Sequence, residues 1–346
     1  MFYINTIKFK YKIIIKLIFI FIFSLILCTP IELSSMYHTP FIENFSIIFS
    51  SIILESVPFI LLASLVSALI QVFVSEEFIT KIIPKNKFLS FLGVSLMGLI
   101  FPVCECAIVP ITKKLIKKGV PMEIAFTFML SVPIVNPIVL MSTYYAFYNK
   151  PSIFILRAIF GILIPIIIGL IISNTEEFKI YPIKESIYES YNVCNCGCSN
   201  NPNLYINNSK LRIVLEHTIK ELFTISKYLI LGAFISTLFQ LTISKQFILP
   251  ISENSILSIL VMIILAFTLS ICSEADAFIA STFLNQFTMG SIVSFLILGP
   301  MIDIKNALML FGTFKKNLVL RLIFYIFSLS YIVGILINIL NGLGVI

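Results

Sequence analysis

The chain has 346 residues, 59% of them hydrophobic and 12% charged. A soluble chain is about 45–50% apolar and about 25% charged, so this one cannot hide its apolar surface in a single water-facing core, and lipid must solvate much of it. The net charge of +7 is no nucleic-acid signature, because the Lys and Arg sit in short clusters between apolar runs, where topology determinants sit.

Lys8, Lys10, Lys12 and Lys16 precede an apolar run from Leu17 to Cys28. No small residue marks a cleavage site near Cys28, and Leu27 argues against a lipoprotein. The run therefore reads as an uncleaved span rather than a removed signal peptide. Residues 1–44 form an N-terminal membrane anchor and external loop on this reading. Further on, runs suited to crossing about 30 Å of hydrocarbon occupy 45–74, 122–148, 152–173, 222–243, 289–312 and 320–341, with 13–28 before them.

Segments 88–118 and 254–287 are apolar but broken near the middle by small or polar residues. The first leg of 88–118 is too short to cross comfortably, and both ends are basic: Lys81, Lys85 and Lys87 precede the segment, and Lys113, Lys114, Lys117 and Lys118 close it. It reads as a re-entrant hairpin entering from the cytoplasm, because irregular backbone at membrane depth is tolerated only inside protein or beside a water-filled cavity. The long polar segment 174–221 carries Cys194, Cys196 and Cys198 and reads as a cytoplasmic linker.

Either side of that linker the sequence repeats itself. Ser67-Ala68-Leu69-Ile70-Gln71 matches Ser236-Thr237-Leu238-Phe239-Gln240, Cys104 matches Cys272, and Phe128, Pro133 and Asn136 match Phe295, Pro300 and Asp303. Weak internal symmetry of this kind is a transporter trait. The expected fold is an all-α integral membrane protein: an N-terminal span plus two repeats, 45–173 and 222–346, each with three spans and a re-entrant hairpin. Three crossings per repeat invert the second repeat. Full crossing at both broken segments would instead give nine spans and parallel repeats.

Chemistry concentrates at the breaks. Cys104-Glu105-Cys106 follows Pro102, which favours an extended backbone on which thiols two apart face the same way. Such thiols suit a soft ion or a trivalent arsenic centre; small cysteines packing a tight turn are the plainer alternative. Glu105 lies between them, and an ionisable group at membrane depth is costly and usually functional. Cys272-Ser273-Glu274-Ala275-Asp276 puts Glu274 and Asp276 in the second hairpin as a cation site or proton carriers. Neutralising either should stop transport and leave the fold intact. Pro133, Pro137 and Pro300 interrupt spans beside Asn136 and Asp303, and Asp303 meets Lys305 only where the helix is unwound. Glu55, ahead of Pro58, is a further intramembrane acid. Cys194, Cys196 and Cys198 could collect a soft metal, though their spacing is not that of a zinc site. His38 and His217 read as lone surface histidines. No G-x-x-x-x-G-K-[ST] loop for nucleotide hydrolysis occurs.

The stretches FPVCECAIVPITKKLIKKGVP, LSVPIVNPIVLMSTYYAF, LSICSEADAFIAST and FLILGPMIDIKNALML, in that order, resemble the predicted bacterial permease family that includes the organoarsenical efflux permeases. The resemblance covers about residues 45–340. It implies a multi-pass permease of the bacterial inner membrane, and a smaller membrane subunit as partner. The expected function is secondary transport, as efflux, of a small solute such as a soft metal ion or a thiol-reactive organometalloid, with no enzymatic activity and no cofactor. A non-transporting subunit of a two-component complex and a membrane thiol oxidoreductase are the alternatives.

Overall fold

The computed structural model describes residues 40–73, 87–100, 103–175, 210–242 and 254–344. These are helical, without a strand among them. In chain order the helices are α1 (Pro40–Phe73), α2 (Lys87–Leu96, continued by a 3-10 turn Met97–Leu99), α3 (Glu105–Lys117), α4 (Met122–Val135), α5 (Pro137–Ala146) and α6 (Pro151–Asn174). After the linker come α7 (Lys210–Thr242), α8 (Ser255–Leu269), α9 (Asp276–Thr282), α10 (Met289–Met301), α11 (Ile304–Thr313) and α12 (Lys316–Gly342).

Among the described residues, five helical stretches are long and apolar enough to span a bilayer: α1, α6, the membrane part of α7, α10–α11 together, and α12. A sixth arises if α4 and α5, bent by 40° at Asn136, count as one. These are the six runs read as spans from residue 45 onward; the run at 13–28 lies outside the described residues. α7 begins at Lys210, earlier than the run at 222–243 suggests.

The centre is built from α4 and α10, which pack on each other and are buried along nearly their whole length. α6 and α12 flank them, α2 packs on α4, and α8 packs on α10. α1 and α7 lie together at the side, covering α3 and α11 respectively. Between the halves, α3 rests on α11 and α9 rests on α5.

Close approach is purchased with small residues, as is usual where lipid supplies no hydrophobic drive between helices. A Cβ on Gly290 of α10 would fall 2.1 Å from the carbonyl oxygen of Gly334 on α12. At the same crossing Ser294 Oγ donates to the Ser330 carbonyl (2.9 Å), and Asn338 Oδ1 accepts from the Gly290 N–H (2.8 Å). The matched Ser and Gln residues of α1 and α7 also act as polar fasteners. Ser236 Oγ donates to the Thr268 carbonyl (2.8 Å) and Gln240 Nε2 to that of Leu269 (2.6 Å). They thereby satisfy carbonyls that α8 leaves open at its C-terminal end. Ser67 Oγ and Gln71 instead bind Glu221 (2.9 Å) and Lys114.

Candidate functional site

The site grows from chain breaks. α2 and its 3-10 turn end near residue 100, and the chain restarts as a helix at Glu105, with Cys104 as N-cap in extended conformation (φ −75°, ψ 166°). Helix geometry alone would separate residues two apart. With Cys104 outside the helix, the Cys104 and Cys106 thiols come within hydrogen-bonding reach of each other. Pro102, expected to impose this break, lies outside the described residues. Glu105 opens the first turn of α3, where the helix dipole favours a carboxylate, and it is fully buried.

The second break mirrors this arrangement in chemistry. α8 ends at Leu269, and Ser270 takes the left-handed conformation (φ 48°, ψ 46°), uncommon for a residue with a side chain. Ser270 Oγ accepts from the Ile304 N–H (3.2 Å) and so ties this break to the start of α11. Cys272 and Ser273 are buried immediately beyond it.

The third and fourth breaks follow the prolines. Pro133 and Pro300 sit inside the last turns of α4 and α10. Asn136 caps α5, its Oδ1 accepting from the Ile138 N–H (3.0 Å), with Pro137 as the first helical residue. Asp303 caps α11, its Oδ1 accepting from the Asn306 N–H (2.7 Å). Asp303 is therefore not helical (φ −132°, ψ 178°), which meets the condition for its contact with Lys305.

Lys305 Nζ lies 3.5 Å from Asp303 Oδ2 and 3.8 Å from Glu105 Oε1, with all three side chains about 1% exposed. Both Glu105 carboxylate oxygens, Asp303 Oδ2, Ser273 Oγ and Asn306 Oδ1 are buried without a hydrogen-bond partner. Cys106 and Cys272 share the field of Lys305, and Cys272 also senses Glu105 and Cys106. Thus Cys104, Glu105, Cys106, Cys272, Asp303 and Lys305 form one buried cluster between α3, α11 and the second break.

Asp276 does not stand in that cluster as a bare acid. Arg157 of α6 holds it by parallel bonds, Nη1 to Oδ1 at 2.9 Å and Nη2 to Oδ2 at 2.7 Å, and Nη1 also donates to Thr143 Oγ1 (2.7 Å). The expectation that neutralising Asp276 leaves the fold intact is corrected accordingly, since it would strand a fully buried guanidinium. Glu274 is half-buried and faces Arg157 and Glu55. Glu55 is exposed on α1 and acts on Cys272 from outside the cluster. Cys194, Cys196 and Cys198 lie outside the described residues.

Several residues differ from their sequence reading or escaped it. Arg157 was hidden in an apolar run, although a lone charge inside a span is itself a signal. Lys113 and Lys114, read as loop charges, are buried on α3. Lys114 Nζ pairs with Glu221 Oε2 of α7 at 3.4 Å. His217, read as a surface residue, is buried nearby because α1, α3 and α7 close over it. Among the described residues no group of three or more His, Cys, Asp and Glu is arranged to hold a metal ion.

The family model described as "Predicted permease" matches residues 41–339. The chain belongs to that family. It is 45% identical over 279 residues to the UPF0718 protein YcgR of Bacillus subtilis, covering 81% of this chain and 92% of that one. It is 38% identical over 276 residues to a Streptococcus mutans protein named as a subunit of a two-component membrane permease complex, covering 80% and 89%. A shorter match, 33% over 125 residues, reaches a UPF0718 protein of Methanocaldococcus jannaschii across about a third of each chain. No solved structure matches the permease significantly.

Proposed function

We propose that this permease exports a small thiol-reactive solute, of the organometalloid kind, across the bacterial inner membrane by secondary transport. The observation that carries the reading is the pairing of the Cys104 and Cys106 thiols at a helix break, buried beside Cys272 and Glu105. Two adjacent thiols can exchange both S–H bonds, with two As–OH groups of a trivalent arsenical, for two As–S bonds and two waters. That exchange needs no oxidant and is reversible, as a carrier requires. A bare soft metal ion suits the cluster less, given the lack of a metal-holding group among the described residues.

An inverted two-repeat carrier with a re-entrant hairpin in each half is the architecture we assign. It draws support from the like order of elements either side of the linker, from Asn136 and Asp303 as matched caps, and from the reciprocal contacts of α3 with α11 and α9 with α5. A smaller membrane subunit is the proposed partner, on the strength of the Streptococcus mutans relative's name.

The test is growth of a metalloid-sensitive bacterial host in phenylarsine oxide. The wild-type chain is expected to confer resistance, and Cys104→Ser with Cys106→Ser to lose it while remaining inserted at normal abundance. Full resistance in the double variant would leave the thiols as packing for a tight turn and send the search to other solutes.

A further inference from the structure

The central cluster does not balance its own charge. Arg157 and Asp276 cancel in their bidentate pair. Lys305 is shared by Glu105 and Asp303, which leaves a second buried carboxylate with no cation of its own. An uncompensated charge so enclosed costs several kcal/mol in real proteins, roughly, even after relaxation. The contacts point the same way, for both Glu105 oxygens and Asp303 Oδ2 have no hydrogen-bond donor. A proton shared by the two acids removes the surplus charge and supplies a donor. A multivalent ion is a poor alternative, because the described residues offer it no group of three or more ligands and the Lys305 ammonium already lies within 4 Å of both acids.

Cys106 faces Glu105 from its own helix, Asp303 and Lys305 from α11, and Asp276 from α9. From α1, Glu55 acts on Cys272, and on α4 the acidic residue, Glu123, lies in the first turn, beside the far end of α3. Glu55 is exposed, Glu274 beside it is half-buried, and Cys272 and Glu105 are buried.

We propose that Glu105, Lys305 and Asp303 form the coupling site of the transport cycle, holding one exchangeable proton. This rests on the reading of the chain as a secondary transporter. The proton, placed on one carboxylate, leaves the other paired with Lys305, so the loaded site is neutral. Release of the proton restores the surplus charge and makes the site attractive to a partially positive solute centre bound at the neighbouring thiols.

Infrared pH-difference spectra of the full chain in liposomes test this without any substrate. The wild type is expected to show the carbonyl band of one buried, protonated carboxyl at neutral pH, unchanged when choline chloride is replaced by sodium chloride. Glu105→Gln and Asp303→Asn should each abolish the band, because the remaining acid pairs with Lys305. Lys305→Met should double it, since neither acid then has a cation. Cys104→Ser with Cys106→Ser should keep it, so failure of the thiol reading leaves this result standing. Absence of the band in the wild type, its loss in sodium, or a Lys305→Met spectrum unchanged from wild type would each overturn the proposal. Coupling is read by a pH dye inside the same liposomes. Phenylarsine oxide should move protons through the wild type and not through Glu105→Gln. A buried proton that stays put in the wild type would make the triad a structural element only.

Discussion

Arg157 of α6 and Asp276 at the start of α9 are joined by two hydrogen bonds of 2.9 and 2.7 Å, across 119 residues of sequence, and both are buried. Removing one member of a buried pair leaves the other charge stranded and typically costs about 3–5 kcal/mol. Arg157→Met and Asp276→Asn are each expected to lower thermal stability in detergent by that order. The double variant should recover much of the loss, because neither a buried charge nor its counter-ion is then left stranded. Additive losses in a double-mutant cycle would show that the two residues do not support one another.

Glu221 is held by both Lys114 (3.4 Å) and Ser67 Oγ (2.9 Å), an arrangement that links α3 and α1 to α7. Glu221→Gln keeps an acceptor for Ser67, whereas Glu221→Ala leaves that hydroxyl without its acceptor and takes the carboxylate from Lys114. Leaving a buried polar group unsatisfied costs about 1–3 kcal/mol, and more for a charged one. The alanine variant should therefore melt well below the glutamine variant, as measured by thermal scanning of the purified protein. Equal melting would place the stabilisation elsewhere.

How far the sequence reaches is clearest in these same residues. The spans were legible because a run of about 20 apolar residues has one common use, and the chain breaks were legible because proline and polar residues interrupt such runs. Asp303 with Lys305 was legible conditionally, and the extended backbone at Asp303 supplies the condition. The pairing of Asp276 was not, because nothing in a local pattern says which charge, 119 residues away, will face it. Nor was the burial of Lys113, Lys114 and His217, which depends on how α1, α3 and α7 close together. A basic cluster looks the same in sequence whether it ends in a loop or on the last turns of an enclosed helix.

Gly290→Ala is expected to destabilise the permease by about 1–3 kcal/mol, the usual cost of overpacking, because its methyl group would meet the Gly334 carbonyl at 2.1 Å. Gly299→Ala on the same helix is the control, since nothing lies within 4 Å of its added carbon. Comparison of the two melting temperatures isolates packing from helix propensity, which both changes improve alike.

Single-cysteine variants test the proposed topology. With Cys194 as the remaining thiol, an impermeant maleimide applied to intact cells should leave it unlabelled, and labelling should appear after permeabilisation. A cysteine introduced as Glu253→Cys should react in intact cells. Labelling of Cys194 from outside would overturn the inverted arrangement.

Within the stretch Met289–Thr313, 94% of an 18-residue apolar window is buried inside the protein, and its mean hydropathy is 1.6, against 2.8 for α6. Its neighbours, rather than lipid, are its solvent, which is why it can carry Asp303, Lys305 and Asn306. During biosynthesis this has a consequence. A segment of such modest apolarity holding two charges partitions poorly into lipid by itself. It must be received by spans already in the bilayer, and the order of the chain provides them, since α1, α4, α6 and α7 all precede it. Moving this segment to the front of the gene by circular permutation would strand its charges at the translocon before anything existed to enclose them.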